Sequence, residues 1–91
     1  MSVLVEVAVD TLEQARRAAA DGADRIELCE DLSEGGLTPG LELLQAVRAA
    51  VRVPIHVLIR ARAGDFVYTA GEVEAMCRQV DAARSGGAGP A

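Results

Sequence analysis

Ninety-one residues and 9.5 kDa leave room for one small domain, since domains typically run to about 100–150 residues. The chain is 51% apolar and 25% charged, which excludes a disordered acidic tail or a low-complexity linker. Fourteen acids against nine bases, every base an arginine, give a net charge of −5. With Phe66 and Tyr68 as its aromatics, it lacks the basic stripe and stacking platform that nucleic acid requires. Its apolar runs fall far short of the roughly 20 residues needed to cross a bilayer, so no membrane role is expected. The N-terminal stretch MSVLVEVAVD has no positive region and carries Glu6 inside its apolar run, unlike a signal peptide. The expected location is therefore cytoplasmic. Two cysteines, Cys29 and Cys77, are too few and too widely spaced for a disulfide scaffold or a zinc motif.

A β-branched run, a short polar loop and an apolar pattern at helical spacing recur three times. The first strand is expected over Val3–Val9. Asp10 with Glu13 forms a reciprocal capping pattern, Leu12, Ala15, Ala18 and Ala19 mark a buried stripe, and Gly22 supplies a left-handed stop. The second strand is expected over Asp24–Cys29, followed by the loop EDLSEGGL. Thr38 then reads as a helix cap with Pro39 at the first helical position, ahead of Leu41, Leu44, Val47 and Val51. The third strand is expected over Val53–Arg60, with Pro54 near its start, where a missing N–H costs little. After the loop ARAGDFVY, Thr69 and Glu72 form another capping pair. Val73, Met76, Cys77 and Val80 give the third helix its stripe, which places Cys77 in the core. Residues 85–91, SGGAGPA, show no pattern and read as a frayed tail. Strands alternating with helices imply an α/β fold of three parallel βα units in a single domain over residues 1–91.

Side chains alternate across a strand, so each run has two faces. Val3, Val5, Val7 and Val9 oppose Leu4, Glu6, Ala8 and Asp10; Ile26 and Leu28 oppose Arg25, Glu27 and Cys29; Ile55, Val57 and Ile59 oppose His56, Leu58 and Arg60. Every strand thus has one apolar face and one face carrying ionisable groups. A doubly wound sheet buries both faces, whereas a barrel tolerates polar groups inside near the C-terminal ends of its strands. The alternation favours a barrel with helices on one side. Glu6, Arg25, Glu27, His56 and Arg60 then form a candidate acid–base site, or alternatively a buried lattice of ion pairs. Copper(I) favours thiolate and imidazole, which makes Cys29 with His56 a candidate metal pair; the alternative for Cys29 is a small buried thiol. Arg60, with Arg62 and Asp65 nearby, is placed to hold a carboxylate or phosphate, or else to pair with Glu27. Gly35 and Gly36 read either as an anion cradle or as a turn.

The stretches EVAVD (6–10), GADRIELCEDLSEGGLTP (22–39) and VPIHVLIRARAGDFVYT (53–69) resemble the N-terminal part of the CutC family, the copper homeostasis proteins. The resemblance implies a TIM (β/α)8 barrel, of which three units would be an N-terminal portion, since a whole barrel takes roughly 200–250 residues. It implies a truncated or partial member. It also implies copper as the ligand. Four departures stand out: family members often carry cysteine where this chain has Ala8, proline and glycine at Ala61 and Ala63, and serine at Gly40. Losing a thiol at position 8 removes a candidate soft ligand from the polar face.

Two functions follow, beside a third reading in which the fragment is only a piece of a barrel and has no activity. The first is CutC-like copper homeostasis with Cu(I) at Cys29 and His56. The second is a barrel enzyme fragment whose polar face does acid–base work on a small anionic metabolite. Unpaired sheet edges further imply homo-oligomerisation.

Overall fold

Switches between β-branched runs and helical spacing produce three βα units in a computed structural model that describes residues 3–89. These are β1 (Glu6–Val9), α1 (Leu12–Ala20), β2 (Arg25–Leu28), a short 3-10 turn (Leu32–Glu34), α2 (Leu41–Ala50), β3 (Ile55–Val57) and α3 (Ala70–Ser85). The strands pair in parallel in the order β1-β2-β3. Val9, Ile26, Leu28 and Ile55 project from one sheet face onto Ala15, Leu44, Val47 and Val51. Burying each of the larger side chains contributes roughly 1.5–3 kcal/mol, and this layer is the core.

Each strand is shorter than its apolar run. At the start of β1, the Val5 N–H donates to the Asp24 carboxylate at 2.7 Å instead of to a strand. At the end of β3, the Leu58 N–H still reaches the Leu28 carbonyl at 3.0 Å. Two residues later the pairing passes to a loop, where the Thr38 hydroxyl accepts the Arg60 N–H at 2.7 Å and Thr38 N–H donates to the Arg60 carbonyl.

Helix boundaries follow local hydrogen bonding. α1 is capped by Thr11, not Asp10: its hydroxyl accepts the Gln14 N–H, while the Gln14 side chain accepts the Asp10 N–H. The cap moves one residue because Gln14, rather than Glu13, sits three positions beyond it. α2 begins at Leu41 after Gly40, not at Pro39, because the Thr38 hydroxyl is spent on Arg60 and Gln79. The Glu30 carboxylate takes the Gly40 N–H at 2.7 Å in its stead. At α3 the expected capping box of Thr69 and Glu72 is present in both directions.

Two expectations are corrected at the chain's end. Cys77 is exposed, with Val73 and Val80. The sheltered line of α3 instead runs through Glu72, Ala75, Met76, Gln79 and Ala83. The segment after α3 is not frayed as far as residue 89. Gly87 turns with positive φ, and Gly89 exchanges both backbone hydrogen bonds with Ile55 at 2.7 and 2.9 Å. Arg48 fixes the same segment by donating to the Gly87 and Gly89 carbonyls. The turn repeats the α1-to-β2 connection, where the Ala23 N–H meets the Ala18 carbonyl at 3.0 Å as Ala88 meets Ala83.

Candidate functional site

Register decides which polar side chains meet. Glu6 pairs laterally with Arg25, and one step along, Ala8, Glu27 and His56 form a single row across all three strands. These residues share the face opposite the helix layer. Glu6 is the centre: its Oε2 accepts from Arg25 Nε at 2.7 Å and lies 3.3 Å from His56 Nδ1. The pair with Arg25 is half-buried, and His56 is 51% exposed. A carboxylate against Nδ1 fixes the imidazole plane and leaves Nε2 free to take a proton or a metal.

Glu27 stands between Ala8 and His56 and has no ion-pair partner among the described residues. Cys29 lies two residues beyond it, fully buried, with Sγ donating to the Val9 carbonyl at 3.5 Å. Burial, and then the nearby Asp10 and Glu27 carboxylates, push its thiol pKa upward and keep it protonated. A cation entering here meets the opposite situation, because its own charge favours the thiolate. Among the described residues, no three His, Cys, Asp or Glu side chains stand together as a ready metal site.

Arg60 is not part of this cluster. β3 has ended three residues before it, and its guanidinium turns to the loops, donating to the carbonyls of Glu34 (2.9 Å), Gly36 (3.2 Å) and Gly64 (3.1 Å). The expected Arg60–Glu27 pair is absent among the described residues. Arg62 likewise pairs inward, with Glu72 at 2.7 Å and Asp65 at 3.3 Å. The N–H groups of Gly35 and Gly36 are engaged by the Leu32 and Asp31 carbonyls, so the glycine pair forms a turn and not an anion cradle. Sequence reading missed Thr38, whose hydroxyl joins β3's exit to Gln79 of α3. Its position before a proline at a helix start suggested only a cap.

Three parallel βα units with helices over one sheet face and polar groups on the other are a segment of a TIM barrel. A CutC structure from Streptococcus agalactiae has the same fold, with a TM-score of 0.86 and 27% identity over 96% of this chain and 43% of that one. The chain belongs to the CutC family, whose model matches residues 3–90. A copper homeostasis protein cutC homolog from Homo sapiens is 49% identical over 85 residues, 93% of this chain and 31% of that protein. A CutC family protein from Xanthomonas axonopodis pv. citri is 52% identical over 77 residues, 85% of this chain and 32% of that protein. The chain thus spans about a third of the length of these curated relatives.

Proposed function

We propose that this chain serves copper homeostasis as three βα units of a CutC-type barrel, with Cys29 and His56 as its Cu(I) ligands. The reading rests on the relatives named for copper homeostasis and on one geometric observation, the Glu6 carboxylate against His56 Nδ1. A ligating histidine typically has its second nitrogen held by a carboxylate, and His56 has that support. Cys29 is the soft donor nearby on the same face; it must lose its proton and leave the Val9 carbonyl to bind. That requirement makes the site weak. The expected result of a competition titration is at most one weak Cu(I) per chain. Cys29→Ala and His56→Ala should each reduce binding. Undiminished affinity in the Cys29→Ala chain would overturn the assignment.

The Glu6–His56 pair beside Arg25 also supports a second reading, proton transfer on a small anionic molecule. His56 would be the base, Glu6 its orienting group and Arg25 the charge that holds the carboxylate. On this reading Glu6→Gln would abolish turnover and leave Cu(I) affinity within a few-fold, whereas on the copper reading it weakens Cu(I) binding by roughly tenfold or more. The two readings separate on that variant.

A further inference from the structure

Two arginines of this chain are held by backbone carbonyls and by no carboxylate among the described residues. Arg48 reaches four carbonyls, those of Gly87, Gly89, Val51 and Val53, and ties the chain's end to α2. Arg60 reaches three, and its Nε is buried without a hydrogen-bond partner. A guanidinium carries five N–H donors. At Arg60, three are taken, which leaves Nε–H and one N–H of Nη2, two donors on adjacent nitrogens. A buried donor without a partner is costly, more so when it is charged, and retaining one calls for a reason.

The surroundings are built around this group. Gly35 approaches so closely that a Cβ there would stand 2.9 Å from Arg60 Nη1. The three carbonyls come from both loops that leave the C-terminal ends of β2 and β3, so the guanidinium is fixed in position. The Phe66 ring lies over it at 4.9 Å and is itself 72% exposed, a cover that can turn outward. The positive charge has no anionic partner among the described residues, while Arg25 has one carboxylate and Arg62 has two.

We propose that Arg60 anchors an oxyanion site at the C-terminal ends of the strands, where Nε and Nη2 take a carboxylate or phosphoryl group along the side of the guanidinium. The inference stands on the geometry at Arg60 and holds whether the Glu6–His56 pair handles copper or a proton.

The test is titration of the full chain with inorganic phosphate and, separately, with acetate, following the nitrogen–proton correlations of the arginine Nε groups. The expected result is a saturable shift of the Arg60 signal while those of Arg48 and Arg62 stay in place. A response to phosphate alone assigns a phosphoryl ligand, a response to acetate alone a carboxylate, and both a general oxyanion site. Arg60→Gln should weaken binding by about tenfold or more. Because that variant also loses the loop contacts, the wild-type signal decides. No saturable movement at Arg60, or a common drift of all arginine signals, would overturn the proposal.

Discussion

Gly36 shows how tightly the site's walls are set. Its φ is +91°, and a Cβ there would meet Leu58 Cδ2 at 2.7 Å and Cys29 Sγ at 3.4 Å. Gly36→Ala therefore combines backbone strain with a clash at Cys29's wall, and should cost about 1–3 kcal/mol in urea unfolding. Gly22→Ala, at φ +100° with open space around it, should cost less because only the backbone term applies. Cys29 itself predicts a pH dependence. Its thiol pKa is raised by burial, so the folded chain keeps the proton that the unfolded chain gives up above about pH 9. The stabilisation is complete below the ordinary thiol range and is lost as pH rises through the folded value. Denaturant melts across the alkaline range should show this decline in the parent and a flatter profile in Cys29→Ala. Ala8 offers a test of the proposed Cys29–His56 copper assignment. Ala8 shares its face with Glu27 and His56 and lies diagonally from Cys29, within reach of a second sulfur ligand. Ala8→Cys should tighten Cu(I) binding more than tenfold in competition titration; unchanged affinity would place copper elsewhere.

Among the elements, α3 depends most on local chemistry, since its outward residues Val73, Cys77 and Val80 bury little. The Thr69–Glu72 box and the Arg62–Glu72 ion pair hold its first turn. Thr69→Ala should lower stability by about 1 kcal/mol, the usual value of such a cap, measured by thermal or urea unfolding. The Glu72 carboxyl pKa is lowered, first by the Thr69 N–H and then by Arg62. Its contribution is present above the ordinary carboxylate range and fades as pH falls through the lowered value. The three units, the parallel sheet and the Glu6–Arg25–His56 cluster were all legible from period-two alternation, because parity along a strand translates directly into a shared face. Ends were not legible. Thr38 looked like a cap, yet its hydroxyl has a stronger claim on Arg60's backbone, and that same bond ends β3's pairing early and takes Arg60 off the shared face. Cys77 followed an apolar spacing that straddles two sides of α3, and small or polar residues, Ala75, Gln79 and Ala83, turned out to face inward.

Taken as a whole, the sheet has two unlike edges. β3's edge is met by Gly89, which takes both the N–H and the carbonyl of Ile55. Among the described residues no strand lies beside β1's outer edge, and the residues leading into it, Val3, Leu4 and Val5, are 80, 64 and 50% exposed. Beside it an apolar groove of about 510 Å³ runs along Val5, Val7, Ala18, Ala23 and Leu32. An uncovered edge with apolar flanks is a template for further pairing, and a closed barrel removes it. Chains near this length bury only a little over 60% of their surface on folding, by the usual scaling, so little reserve offsets the exposed edge. The expected behaviour is a weakly stable, self-associating species whose apparent size grows with concentration in sedimentation velocity. Leu4→Lys, which puts a charge on that edge, should shift it toward monomer without lowering the unfolding midpoint. Mixing the chain with the remaining βα units of a CutC relative should raise the midpoint and sharpen the transition, because the added strand covers β1. A concentration-independent monomer melting sharply above about 60 °C, the upper part of the mesophile range, would show that three units suffice and that closure contributes little.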